Sequence, residues 1–149
     1  MIEIYTDGGC EPNPGTGGWA AIIIRNGRST ELLGGEQQTT NNRMEMTAVI
    51  EALRYLQDAI GPGQEVTVFT DSRYVRNGIT SWIAGWKRNG WRTSTGAPVK
   101  NEDLWRQMDH LCSIHHVTFK WLKGHNGHVH NERADELAGS VIQSLRSAA

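Results

Sequence analysis

Asn26-Gly27 separates two strand-like runs, Trp19 to Arg25 and Ser29 to Gln37, and constrains the fold more than any other feature of the chain. Both residues tolerate positive φ, which a two-residue hairpin turn requires, so the flanking runs pair antiparallel. Residues 2–7 alternate and predict a further strand, making the start an antiparallel meander. Gly8 to Gly18, with Pro12-Asn13-Pro14-Gly15, reads as a turn-rich loop. Met46, Val49, Ile50, Leu53, Leu56 and Ile60 then recur at helical spacing, capped by Thr40, Asn41 and Asn42 and stopped by Gly61-Pro62-Gly63. Val66 to Thr70 is again a strand, and strand–helix–strand order predicts a right-handed crossover into parallel pairing.

Beyond it the sequence predicts a short helix after Asp71 carrying Val75 and Ile79, and a helix marked by Leu104, Met108, Leu111 and Cys112. A strand from Val117 to Lys123 follows, then a last helix striped by Ala134, Leu137, Ala138, Val141, Ile142 and Leu145. Trp105 fits the core of its helix. The expectation is an α/β fold, a mixed sheet of about five strands with helices on its faces. Residues 1–149 read as one domain, with about 144–149 as a frayed tail.

No apolar run approaches a membrane span and no signal peptide is visible. Cys10 and Cys112 are far apart and form no Cys-x-x-Cys pair, which predicts free, inert thiols and a cytoplasmic protein. No apolar stripe is left over, so a monomer without an obligate protein partner is the default. The net charge of -1 conceals an asymmetry. Arg73, Arg76, Lys87, Arg88, Arg92 and Lys100 occur without an acid among them, interleaved with Tyr74, Trp82, Trp86 and Trp91. A basic, aromatic-rich stretch in a near-neutral chain points to a polyanion site rather than a solvated face.

Four acids stand where a carboxylate does little for folding. Asp7 and Asp71 end two strand-like runs, and Glu45 and Asp135 lie in the first turns of two amphipathic helices, beside the apolar stripes. For either helical acid alone, complementing the helix dipole is the simpler reading. An acid closing a buried strand is costly without a partner. Carboxylates that converge repel one another and imply a cation, and oxygen-only ligands favour a hard one such as Mg²⁺.

Six blocks occur in order: Tyr5-Thr6-Asp7-Gly8-Gly9-Cys10, Asn13-Pro14-Gly15-x-Gly17-Gly18, Thr40-Asn41-Asn42-Arg43-Met44-Glu45, Thr70-Asp71-Ser72, Trp121-x-Lys123-Gly124-His125 and Asn131-Glu132-Arg133-Ala134-Asp135-Glu136-Leu137-Ala138. Together they closely resemble the bacterial type 1 ribonuclease H family across essentially the whole chain. The resemblance implies a ribonuclease H-like five-stranded mixed sheet, without a separate hybrid-binding domain. It implies endonucleolytic hydrolysis of the RNA strand of RNA–DNA hybrids, leaving 5′-phosphate and 3′-hydroxyl ends. Asp7, Glu45, Asp71 and Asp135 are then the ligands of two Mg²⁺ ions about 4 Å apart, with Mn²⁺ able to substitute.

The resemblance also gives His125, in a glycine-flanked loop, a proton-shuttling or product-release role. The rival is a histidine metal cluster of His125, His128 and His130, but zinc would want a further ligand and both cysteines lie far away in sequence. His130 stands where the family carries an acid. His110, His115 and His116 read as helix-end or surface residues. Cys10, Asn13, Asn41 and Asn42 match groove contacts, Thr40 and Asn101 match positions that hold a DNA-strand phosphate, and Tyr74, Trp82, Trp86 and Thr93 match the DNA-strand channel. Lys87, Arg88 and Arg92 would attract the backbone, in a basic protrusion thinned by Ala84, Gly85, Asn89 and Gly96-Ala97. Two other readings remain: a DNA-acting nuclease of the same fold, and a non-catalytic nucleic-acid-binding module.

Overall fold

The computed structural model describes residues 1–122 and 128–148. Strands β1 (Ile2–Cys10), β2 (Gly15–Arg25) and β3 (Arg28–Thr39) form the antiparallel meander. Asn26 and Gly27 turn the hairpin at φ 52° and 74°, and Arg25 faces Arg28 across it. Helix α1 (Asn41–Ala59) leads to β4 (Glu65–Thr70), which lies parallel to β1, with Ile2 opposite Val66 and Tyr5 opposite Phe69. Strand β5 (His116–Trp121) adds in parallel to β4, giving the sheet order β3-β2-β1-β4-β5.

Alternation along β1 divides the interior. Ile2 and Ile4 join Ala21, Ile23, Val66 and Val68 under α1 and α4 (Glu102–Ile114), where Met46, Leu53, Leu56, Trp105 and Met108 complete the main core. Tyr5, Ala20 and Ile22 face α5 (Val129–Ala148), against Ala134 and Ala138. Trp105 is wholly buried, as its helical position predicts. Among the described residues, no helix is long and apolar enough to cross a membrane.

Four local expectations change. The predicted Gly8–Gly18 loop is mostly strand: Gly8 pairs with Trp19, Gly9 with Gly18 and Cys10 with Gly17, leaving a connection of residues 11–14. These strand positions are glycine because two helices press on them. A Cβ on Gly8 would lie 2.5 Å from the backbone of Glu45 and Met44, and one on Gly18 would lie 2.5 Å from the Ala138 carbonyl. The short helix after Asp71 is instead a continuous helical run, α2 (Arg73–Asn77), a π turn (Gly78–Trp82) and α3 (Ile83–Arg88). The segment expected to fray is helical to Ala148, anchored where Gln37 Nε2 donates to the Leu145 carbonyl at 3.1 Å. His115 does end a helix, as the C-cap of α4, but it is not on the surface. It is buried, its Nδ1 accepts from Gln64 N at 3.2 Å and its Nε2 meets the Leu53 carbonyl at 3.2 Å, tying that helix end to α1.

Candidate active site

The crossover brings β1 and β4 side by side in parallel, so Asp7 and Asp71 emerge at the same sheet end. Helix α1 starts at Asn41 behind the Thr40 cap, whose hydroxyl accepts from Arg43 N at 3.2 Å. Glu45 therefore sits in the second turn, and Asp135 likewise falls in the second turn of α5. Both are past the reach of the helix N-terminal charge, which weakens the simple dipole reading. What positions Glu45 is the glycine at 8: with no side chain there, α1 closes onto β1 and the Gly8 N–H reaches the Glu45 carboxylate.

Carboxylate oxygens of Asp7, Glu45 and Asp71 lie within 4.8 Å of one another. Asp135 is on the exposed side of the same cleft, which it lines with Asp7, Gly9, Cys10, Glu11 and Asn41, and it comes within hydrogen-bond reach of Asp7. Burial, a hydrogen bond with Asp135 and the charge of Asp71 push the Asp7 carboxyl up to about 8. Burial first, then the charges of Asp7 and Asp71, push Glu45 well above the usual carboxylate range. Among the described residues, the buried Glu45 Oε2 has no hydrogen-bond partner. Repelling buried carboxylates with an orphaned oxygen are what a divalent cation would resolve, and an all-oxygen donor set suits a hard one. The residues fit such an ion.

The predicted groove residues gather at the mouth of this cleft. Cys10 Sγ lies 3.3 Å from the Thr39 carbonyl, and Asn13 Oδ1 accepts from Asn41 N at 3.1 Å, locking the connection onto the start of α1. Asn42 follows in the same turn. Asn101 adopts a left-handed backbone at φ 60° before α4, and its side chain bridges Arg43 Nη1 (3.2 Å) and the Tyr74 hydroxyl (3.0 Å). Arg43, which the sequence reading passed over, stands between Thr40 and Asn101 and pairs in a fork with Asp103 at 3.0 and 2.7 Å. Its signal was its place inside the Thr40–Glu45 block.

Tyr74, Trp82, Trp86 and Trp105 form a chain of ring contacts with centroids 5.4–5.7 Å apart. Trp82 and Trp86 line an open cavity of about 630 Å³ with Arg88, Asn89, Arg92 and Thr93. Lys87 is partly committed elsewhere, pairing with Asp109 at 3.2 Å, and Arg92 donates to the Gly96 carbonyl at 3.0 Å. Of the predicted wall, Trp82, Trp86, Arg88, Arg92 and Thr93 line this one cavity, Tyr74 meets Trp82 edge-on at its side, and Lys87 is not part of the lining.

His125, Lys123 and Gly124 lie outside the described residues. His128 stacks on Tyr5 at 4.8 Å, His130 meets the same ring tilted at 5.0 Å, and Tyr5 stacks on Phe69 at 4.6 Å. Among the described residues the one three-carboxylate or histidine-rich cluster able to hold a metal is Asp7, Glu45 and Asp71, so the histidine-cluster rival gains nothing from His128 and His130.

Comparison with known proteins agrees with this geometry. The model of the RNase H family matches residues 1–143. The chain is 54% identical over 146 residues to a ribonuclease H of Cupriavidus pinatubonensis, covering 98% of each. It is 56% identical over 146 residues to a ribonuclease H of Hyphomonas neptunium, covering 98% of this chain and 95% of that one. Among solved structures it resembles LC9-RNase H1, a type 1 RNase H with the type 2 active-site motif, with a TM-score of 0.83 and 32% identity over 96% of this chain and 72% of that one. LC11-RNase H1 in complex with an RNA/DNA hybrid matches with a TM-score of 0.76 and 26% identity, over 97% of this chain and 99% of that one.

Proposed function

The chain belongs to the RNase H family, whose reaction is cleavage of the RNA strand of RNA–DNA hybrids, and we propose that it performs that reaction at the carboxylates of Asp7, Glu45, Asp71 and Asp135. The convergence of three strand-end and helix acids, one with an orphaned buried oxygen, carries this reading. Asp7, Glu45, Asp71 and Asp135 would hold two divalent cations, Mg²⁺ by donor chemistry, with Mn²⁺ able to substitute. When bound, such ions supply an activated water and charge neutralisation at the scissile phosphate and leaving oxygen. In-line displacement of that kind leaves 5′-phosphate and 3′-hydroxyl ends.

The residues around the acids do the rest. Gly8 and Gly9 line the cleft beside Asp7, where a sugar–phosphate backbone can approach the carboxylates. Cys10, Asn13, Asn41 and Asn42 stand where the RNA 2′-hydroxyl, the group that separates RNA from DNA, can be read. Thr40, Asn101 and Arg43 provide donors for a DNA-strand phosphate. Tyr74, Trp82, Trp86 and Thr93 offer flat surfaces to a strand lacking the 2′-hydroxyl, while Lys87, Arg88 and Arg92 attract its backbone. His125 would move a proton or hasten product release. Residues 1–149 act as one catalytic domain on this reading. Both thiols are free, Cys112 pushed up to about 12 by burial, which supports a reducing, cytoplasmic setting.

The test is to incubate the protein with labelled RNA–DNA hybrid, duplex RNA and duplex DNA, with and without Mg²⁺. Cleavage of hybrid RNA only, and only with the metal, is the expected result. Magnesium-dependent cleavage of duplex DNA in its place would mean a DNA-acting nuclease, and binding without cleavage a non-catalytic module.

A further inference from the structure

Arg73 and Arg76 belong to the basic stretch but not to the aromatic wall. Three residues apart on α2, they project from a different face than Tyr74 and both are exposed. Their guanidinium carbons lie 5.7 and 5.1 Å from the ring centre of Trp121, the last residue of β5. Two cations are thus gathered on one indole, and among the described residues neither is in an ion pair. Trp121 is itself tied to the acid cluster: its Nε1–H donates to the Asp71 carbonyl at 3.3 Å, and it pairs in register with Thr70.

We propose that Arg73 and Arg76, stacked on Trp121, form a phosphate-binding ridge for the RNA strand on the β5 side of the carboxylates. This rests on the reading of the acids as the site that cuts RNA. These like charges, held together on an aromatic face with no ion-pair partner among the described residues, are met by a polyanion. Cation–π contact holds each guanidinium by its flat side and leaves its N–H edge free for phosphate oxygens. The strand follows from position. Arg73 is two residues from Asp71, so the phosphates within its reach neighbour the bond the acids act on. The wall assigned to the DNA strand lies beyond Tyr74, along the π turn and α3.

The double variant Arg73→Gln with Arg76→Gln tests the ridge, because both side chains are exposed and their loss leaves the core intact. Hybrid binding, measured in an Asp7→Asn background that does not cut, should weaken about tenfold at low salt, and its log–log salt slope should shrink by about two. In the active protein KM should rise with kcat falling less than twofold. Methylphosphonates near the cleavage position in the RNA strand should erase the difference between parent and double variant, and the same change in the DNA strand should preserve it. Trp121→Leu should reduce the slope as the arginine changes do, and Trp121→Phe should keep it. An unchanged slope, a loss confined to kcat, or erasure by DNA-strand methylphosphonates would each overturn the ridge. Failure of the underlying reading is distinct, since the parent protein would then not cut hybrid RNA at all.

Discussion

Asp7 holds its proton to about pH 8 in the metal-free fold, where burial, Asp135 and Asp71 all disfavour its charge. An unfolded aspartate releases it near pH ~4. Between those values the folded state binds more protons than the unfolded one, so stability is greatest at the acid end and falls as pH rises through the window. Thermal melts of metal-free protein from pH 5 to 8 should show that decline, Mg²⁺ should raise the melting temperature most at the alkaline end, and Asp7→Asn should flatten the profile. The same substitution should cut turnover about a thousandfold or more, as expected for a group acting at the reacting centre, with circular dichroism unchanged. A hybrid-cleavage time course near the parent rate would remove Asp7 from the site. His115 gives the opposite signature: His115→Ala should lower the denaturation free energy by about 2 kcal/mol through two lost buried contacts, with kcat within about twofold. The acids were legible because strand-end carboxylates have few structural uses. His115 was not, since its role depends on Gln64 and Leu53, partners distant in sequence.

The helices reach the acid cluster through what the strands lack. Gly8 lets α1 rest on β1, and Gly18 does the same for α5 on β2. Gly8→Ala should therefore separate Glu45 from Asp7, costing about 1–3 kcal/mol of stability, and kcat should fall much further than the folded fraction does. Calorimetry beside single-turnover cleavage distinguishes the two losses. Gly78 sits in the π turn against the Trp105 ring, and its φ of -62° shows that packing, not backbone conformation, excludes a side chain. Gly78→Ala should tilt α3 away from Tyr74, raising KM for hybrid. The meander, the crossover and the helices were readable from hairpin chemistry and apolar period. The strand character of Gly8 to Cys10 and of Gly15 to Gly18 was hidden, because glycine signals a turn locally and a helix contact only once the helix is in place. The π turn has no local signature either; ring packing among Tyr74, Trp82, Trp86 and Trp105 goes with it.

Across the whole molecule, charge is divided between an acidic cleft and a basic flank, which makes association sensitive to ionic strength. The flank's cations are unequal: Lys87 already has Asp109, whereas Arg88 lines the open cavity beside Trp82. Arg88→Ala should reduce the salt slope of hybrid binding by about one, and Lys87→Ala by less. Filter binding across a salt series decides this, and equal effects would mean that the Asp109 pair opens on contact. Such pairing was invisible in the count of basic residues, which treats each as free. The glycine contacts carry a last consequence. Since α1 and α5 touch the sheet end backbone to backbone, the spacing of the carboxylates is gauged by main chain and not by the bulk of Leu53, Met108 or Ile22 deeper inside. Robustness and reactivity are therefore separate heritable properties of this chain: drift in its interior can raise or lower the melting temperature while the scissors keep their pitch.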